Sequence, residues 1–336
     1  MDSSSPWWRG EHEQYVAIGH FELPIYASYK NFPHQVVTYF LMGQAYHALG
    51  DYSQASEFLR RNVALLEGDS ARECFDLPGL ASVFSRAWLV WCLAECGEFS
   101  EGLDVAEEAI QIAESVDDPY SLVMACFGLG MLSLQQGRFP QAIAVLERGV
   151  ALSQSKNLAP LFPLLAAPLG AAHALDGRVA EGTPLLEAAV ERAAAINFIG
   201  TQARRLAWLG EAYLLAGRRD AAVNLASRAL DLARVHKERG HEAWSLRLLG
   251  EVHAHQDPPA VEQAGAFYRQ ALALAEELRM APLLAHSHLG LGKLYARSGR
   301  PQETCAELGT AVDLFRAMQM TRWLSQAETA LAQAHA

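Results

Sequence analysis

Leu209-Gly210-Glu211-Ala212-Tyr213-Leu214-Leu215-Ala216-Gly217-Arg218-Arg219-Asp220-Ala221-Ala222 carries the punctuation of the whole chain. Gly217 interrupts an otherwise helix-forming run, and glycine readily takes the left-handed conformation that stops a helix. One helix is therefore expected before it and another after it. Gly210 stands seven residues before this turn and Ala222 five after it. Small residues on the facing sides let two antiparallel helices approach closely.

The same punctuation recurs outward in both directions. Turn glycines fall at Gly50, Gly97, Gly137, Gly177, Gly217 and Gly299, mostly 40 residues apart, and the long last interval holds one more turn at Asp257-Pro258-Pro259. The position seven before each turn is Gly43, Gly130, Gly170, Gly210, Gly250 or Gly292, with Val90 the exception. Five after it come Ala55, Gly102, Ala142, Gly182, Ala222 and Thr304, and in the sixth repeat a two-residue insertion moves the position to Ala264. Twelve after it come Ala109, Gly149, Ala189, Ala229 and Ala311, with Asn62 the odd one out and Ala271 in the sixth repeat. Breakers mark the junctions between repeats at Pro33, Pro78-Gly79, Pro119, Pro160, Gly200, Gly240 and Pro282. Asp118-Pro119 reads as an N-cap followed by proline at the first helical position. Period detection takes precedence over element-by-element reading, because a fixed period defines a repeat architecture.

Composition agrees. Hydrophobic residues make up 51% of 336 residues and charged ones 19%, enough apolar material for an extended core. Leu and Ala dominate and period-2 alternation is scarce, which predicts an all-α chain. The net charge of −11, from 27 basic and 38 acidic side chains, argues against nucleic acid, whose binding rests on phosphate neutralisation. Arg204/Arg205 and Arg218/Arg219 read as solvated helix faces. The five cysteines, Cys74, Cys92, Cys96, Cys126 and Cys305, are odd in number and scattered, which fits a reducing, cytoplasmic setting. The opening Met1-Asp2-Ser3-Ser4-Ser5-Pro6 has no signal-peptide pattern. Leu158 to Leu175 lacks acids, Lys and Arg, but its three prolines, His173 and its register in the array make it a buried helix and not a membrane span.

Leu209-Gly210-Glu211-Ala212-Tyr213 resembles the Leu-Gly-x-x-Tyr core of the tetratricopeptide repeat, as does Met42-Gly43-Gln44-Ala45-Tyr46, and Gly292-Lys293-Leu294-Tyr295 keeps the Gly-to-Tyr spacing. The usual repeat is about 34 residues; these run longer and lack its closing proline, which implies helices about a turn longer. The resemblance implies a right-handed α-α superhelix of about seven helix-turn-helix units over 33–336. Residues 1–32, with Trp7-Trp8 and the aromatic Phe21 to Tyr29 segment, are either a divergent cap or the trace of a longer array. Solenoid ends need such covering.

Ser85-Arg86-Ala87-Trp88-Leu89, Lys237-Glu238-Arg239-Gly240-His241-Glu242-Ala243-Trp244 and Ala285-His286-Ser287-His288-Leu289-Gly290-Leu291-Gly292 further resemble the C-terminal repeat region of bacterial class III adenylate/guanylate cyclase proteins that also carry a P-loop ATPase. The activities of that family do not carry over. No Gly-x-x-x-x-Gly-Lys-Ser/Thr cradle exists, since Gly292-Lys293 is followed by Leu294, and there is no room for a cyclase domain.

By resemblance, first helices line a concave groove. Offsets of −6, −3, +1 and +4 from each first-helix glycine position trace one helical face. They select Phe84, Ala87, Trp91, Ala94, Met124, Phe127, Met131 and Leu134 in the second and third repeats, and Arg204, Ala207, Glu211, Leu214, Trp244, Arg247, Glu251 and Ala254 in the fifth and sixth. The groove is thus expected to be aromatic at one end, at Phe84, Trp91, Met124, Phe127 and Met131. At the other end it is expected to be charged, at Arg204, Glu211, Trp244, Arg247 and Glu251. Against this stands the reading that Phe84, Trp91 and Phe127 are inter-repeat core, since hydrophobic stripes are mainly packing devices, and that the charged residues form nearly neutral surface pairs.

Chemistry is otherwise thin. His253/His255 and His286/His288 are spaced i, i+2 on different helix faces, and Cys92/Cys96 have no further ligand at a metal-binding spacing. No Gly-x-Ser-x-Gly elbow occurs. No catalytic residue, cofactor or metal is expected. The sequence points to a non-catalytic scaffold in a bacterial signalling system that binds a protein or peptide partner. The alternative is a regulatory solenoid that senses a small molecule and controls a cyclase or ATPase on another chain.

Overall fold

Each turn glycine does what its position demands. In the computed structural model, which describes residues 6–256 and 258–335, Gly50, Gly97, Gly137, Gly177, Gly217 and Gly299 all have φ between 68° and 90°. Asp257, assigned to the sixth turn, lies outside the described residues, as do residues 1–5 and Ala336 and the side chain of Trp7.

The turns join helices in antiparallel pairs: α3 (Phe32–Leu49) with α4 (Tyr52–Leu65), α5 (Ala81–Cys96) with α6 (Phe99–Val116), and α7 (Pro119–Gln136) with α8 (Phe139–Ser155). The series continues through α9 (Phe162–Leu175) with α10 (Val179–Ala195), α11 (Gln202–Leu215) with α12 (Arg219–Val235), α13 (Arg239–Ala254) with α14 (Val261–Glu277), and α15 (Ala281–Arg297) with α16 (Pro301–Ala317). Two helices precede the array, α1 (Pro6–Arg9) and α2 (His12–Ser28), and α17 (Thr321–His335) follows it. No strand occurs among the described residues. The fold is an all-α superhelix.

Close approach within a pair follows the small-residue positions. A Cβ placed on Gly182 of α10 would lie 2.3 Å from the Gly170 carbonyl oxygen of α9, so these two backbones touch with no room for a side chain. The N-cap read from sequence also forms: Asp118 accepts a hydrogen bond from the Ser121 amide at 3.0 Å. The Leu158–Leu175 stretch becomes the short buried helix α9, and among the described residues no helix is long and apolar enough to cross a membrane.

Each repeat from the second to the seventh has a second left-handed residue, just after its second helix. Asp117, Asn157, Asn197, Lys237, Arg279 and Gln319 occupy it, with φ between 51° and 60°. None is glycine, so the left-handed residue itself is marked less plainly than at the turn glycines, although Asp117, Asn157 and Asn197 are of types that favour it.

The superhelix winds until it meets itself. α3 packs on α13, and α5 packs on α15. A Cβ on Gly50 would sit 3.0 Å from the Gly240 amide nitrogen, and one on Gly97 would strike Met318. Arg322 of α17 reaches Asp176 at 3.2 Å. The N-terminal segment packs on the junctions between α10 and α11 and between α12 and α13. Trp8 stacks on Phe198 with centroids 4.1 Å apart, its Nε1 donates to the Ile196 carbonyl at 3.2 Å, and Lys237 pairs with Glu13 at 2.6 Å.

Candidate functional site

First helices form the inner wall, and self-closure decides which of their faces stay open. At the α5–α7 end the opposite wall has moved in. Phe84, Trp91, Met124, Phe127 and Met131, expected along the aromatic end of the groove, are each at most 2% exposed. Trp91 packs edge-on against Phe127 at 5.3 Å and faces His241 from across the lumen at 6.4 Å. The structure therefore places these five residues in the packed core, with Phe84 between Phe40 of α3 and Tyr120 of α7, and with Trp91 also facing His241 of α13.

A buried acid marks the floor. The Glu95 carboxylate, 1% exposed, accepts from Trp91 Nε1 at 3.1 Å, Gln135 Nε2 at 3.2 Å and Trp244 Nε1 at 2.9 Å. Three donors from three repeats offset the cost of burying its charge. This plug joins α5, α7 and α13 across the lumen.

Beyond the plug the lumen opens into a cavity of about 560 Å³. Arg204, Glu211, Trp244, Arg247 and Glu251, the five residues expected at the charged end, all line it. The Arg204 guanidinium lies over Trp244 at 4.2 Å and Trp208 at 4.8 Å, and its Nη2 donates to Gln135 Oε1 at 3.4 Å. Burial pulls Arg204 below its usual value despite Glu95 and Glu211. Arg247 Nη2 donates to Glu211 Oε1 at 2.5 Å; burial alone would lower its pKa, but Glu211 and Glu251 outweigh it and raise it. Glu251 accepts from the Tyr268 hydroxyl at 2.5 Å, and burial together with Glu251 pushes that phenol well up.

Several lining residues were not selected from the sequence, namely Trp208, His286, Leu289, Lys293, Arg322 and Trp323. Offsets of −6, −3 and +1 from Gly292 give His286, Leu289 and Lys293, so the rule that found the fifth and sixth repeats extends to the seventh. Arg322 and Trp323 sit on α17, which has no turn glycine to set a register. His286 packs against Trp323 at 4.6 Å, Phe315 at 5.2 Å and Trp244 at 5.9 Å. Burial, and then Arg247, Lys293 and Arg204, hold its pKa well below the usual imidazole value.

The other histidine pairs have separate partners. His253 stacks on Phe267 at 5.4 Å, and His288 Nδ1 meets Glu307 at 2.6 Å. Among the described residues no group of three His, Cys, Asp or Glu side chains could hold a metal ion. Cys92 and Cys96 lie within or beside the core, where burial pushes both thiols up, Cys96 to about 12. A thiol held protonated is a poor nucleophile.

A second cavity, also about 560 Å³, continues toward α17 and shares Glu251, His255, Gly290 and Lys293 with the first. The two adjoining cavities are thus walled by α7, α9, α10, α11, α13, α14, α15, α16 and α17.

This architecture defines the class: an α-α superhelix of helical hairpins enclosing a ligand-sized lumen. Tetratricopeptide-repeat family models match residues 36–63, 123–148 and 203–228, so the chain contains tetratricopeptide repeats. A Rap protein complexed with Competence and Sporulation Factor is similar over 97% of this chain and 98% of its own, with TM-score 0.59 and 10% identity. NprR in complex with its cognate peptide NprX is similar over 87% of this chain and 82% of its own, with TM-score 0.58 and 11% identity. A signal-transduction ATPase with numerous domains and a tetratricopeptide-repeat sensor, from Pyrococcus horikoshii, aligns over 95% of this chain and 48% of its own at TM-score 0.45 and 12% identity. At such identities the likeness concerns the fold. A search of curated proteins finds no relative by sequence.

Proposed function

We propose that the chain is a non-catalytic receptor that holds a peptide or protein segment in the open half of its lumen, as a cytoplasmic module of a bacterial signalling system. The observation that carries this reading is the lumen itself. It runs as two adjoining cavities past Trp208, Trp244 and the basic side chains Arg204, Arg247, Lys293, Arg297, Arg300 and Arg322. Aromatic and Arg anchors in a desolvated pocket are what concentrates binding energy in few residues. Rap and NprR were each solved with a bound factor or peptide, and only that type of ligand is taken over here. The signalling context rests on the resemblance of the repeats to those of class III cyclase proteins.

A hexapeptide library immobilised through its N-termini tests the reading against labelled wild type and an Ala207→Trp variant whose fold is checked by circular dichroism. The expected result is selective retention of wild type, lost in the cavity-filling variant. Equal retention of both, or of neither, contradicts it. A second reading is a small-molecule sensor, favoured by a cavity volume inside the usual range of about 300–1,000 Å³ for such pockets. Thermal stabilisation by a metabolite, with no peptide retained, would establish that reading instead.

A further inference from the structure

Where the superhelix meets itself, α2 and α3 face α13 across a seam that holds a cluster of buried titratable groups. The Glu238 carboxylate stands directly before α13 and is 2% exposed. Its Oε2 accepts from His241 Nδ1 at 2.9 Å, and its Oε1 meets His12 Nε2 of α2 at 3.4 Å. A third ring, His47 of α3, is enclosed by Tyr52 of α4 at 5.3 Å and by Trp88 and Trp91 of α5 at 5.1 and 4.2 Å. Arg205 of α11 also faces Glu238, with its donors engaged by Gln202, Thr201 and the Phe198 and Gly200 carbonyls. Tyr52 faces Glu95, Cys96, Cys92 and Arg204 on its far side. At the surface of the seam Lys237 pairs with Glu13 at 2.6 Å, and His236 lies against Gly10.

Two of the ring nitrogens, His12 Nδ1 and His47 Nε2, are buried without a hydrogen-bond partner. A neutral imidazole has one nitrogen without a proton, which tolerates such a place. A proton added there becomes a buried donor with no acceptor, and that is costly. Burial, followed by His241, holds His47 well below the usual imidazole value, with Glu238 opposing and His12 adding. Parting α13 from α3 returns the ring to water, where it takes up its proton near pH 6.5.

We propose that this cluster is an acid-released latch: proton uptake at His47 in mild acid parts α2 and α13 from α3, and the superhelix opens while its hairpins stay folded. The latch is independent of what the lumen holds. Closure is complete above about pH 6.5 and weakens as pH falls, because the open form binds more protons. Burial would raise the Glu238 carboxyl, but His241 and His12 outweigh it and hold it well below the carboxylate range, so its own protonation weakens closure only in stronger acid. The hairpins persist because their packing is between neighbouring helices.

Small-angle scattering and far-UV circular dichroism of the full chain, from about pH 7.5 to about pH 5, test the latch on wild type, His47→Phe, His286→Phe and Lys237→Glu. The radius of gyration of wild type is expected to rise below about pH 6.5 with helix content unchanged. His47→Phe keeps a ring in the aromatic cage but takes up no proton, and it is expected to stay compact throughout. His286→Phe removes the buried histidine of the lumen and is expected to open as wild type does. Lys237 is exposed, so Lys237→Glu folds; repulsion from Glu13 is expected to move opening up by about half a pH unit, the scale of a weak surface pair. A constant wild-type radius, a rise that comes with loss of helix, or an equal rise in His47→Phe overturns the latch. Loss of the rise in His286→Phe assigns the response to the lumen and overturns it too. If His47→Phe does not fold, Lys237→Glu decides: a raised midpoint supports the latch and an unshifted one contradicts it.

Discussion

At the scale of single residues, the buried histidines set how the protein responds to acid. His47 is enclosed by Trp88, Trp91 and Tyr52, and burial, followed by His241, lowers its pKa well below the usual value, with Glu238 opposing and His12 adding. His286 is lowered in the same direction by burial and three cations. The unfolded chain takes up these protons near pH 6.5 while the folded chain does not. Stability from these groups is therefore complete above about pH 6.5 and declines as pH falls through it, because protonation favours the unfolded state. Melting temperature is expected to drop between pH 7 and pH 5, and His47→Gln with His286→Gln to flatten that slope; an unchanged slope counts against the assignment. Individual charged residues of the site were legible because Arg204, Glu211, Trp244, Arg247 and Glu251 recur at fixed offsets. The aromatic residues were not separable from core by the same rule. Phe84 and Arg204 hold equivalent positions in their repeats, yet Phe84 packs between Phe40 and Tyr120 of the flanking repeats while Arg204 lines the cavity, a difference the offset alone does not carry.

Within and between helices, the small residues are the tested feature. Gly182 and Gly170 bring two backbones together, and a backbone atom cannot move aside as a side-chain tip can. Gly182→Ala is expected to cost about 1–3 kcal/mol, the usual range for overpacking, measured by urea unfolding. Gly309, inside α16, has open space where its Cβ would go. Gly309→Ala should stabilise by up to about 1 kcal/mol through helix propensity alone. Opposite signs for two glycine-to-alanine changes would separate packing from propensity, and equal signs would refute the distinction. Helix pairs and their register were readable because glycine, proline and small residues report backbone geometry directly. The second left-handed junction was only partly so: Asp117, Asn157 and Asn197 favour that conformation, whereas Lys237, Arg279 and Gln319 do not announce it and adopt it in helix-end turns closed by local backbone bonds, such as Glu238 N to the Ala233 carbonyl.

For the molecule as a whole, function depends on closure between repeats far apart in sequence. Repeats of a solenoid ordinarily touch only neighbours, whereas here Tyr52 of the first repeat packs on Gly240 of the sixth, and a Cβ on Gly240 would lie 1.9 Å from the Tyr52 hydroxyl. Beside it, the Glu238 carboxylate, 2% exposed, meets His241 at 2.9 Å and His12 at 3.4 Å. Burial would raise its pKa, but the two histidines outweigh that and hold it well below the carboxylate range. Gly240→Val is expected to pry this seam open, giving a larger radius of gyration by small-angle scattering with helix content unchanged. An unaltered radius would show that the seam tolerates the added bulk and does not set the curvature. Periodicity fixes the hairpin and its stacking, but the curvature that makes repeat 1 meet repeat 6 accumulates from small angles at every junction, and no residue pattern encodes it.

The central claim is that ligand enters the open half of the lumen. Leu215 lines the cavity and is 51% exposed, whereas Val235, 72% exposed, is absent from its wall. A photoreactive benzoylphenylalanine at each position, irradiated with the retained hexapeptides and mapped by mass spectrometry, reads the site directly. Crosslinks from position 215 and none from position 235 are the predicted result; equal labelling at both, or labelling from 235 alone, would place the ligand outside the lumen and contradict the account.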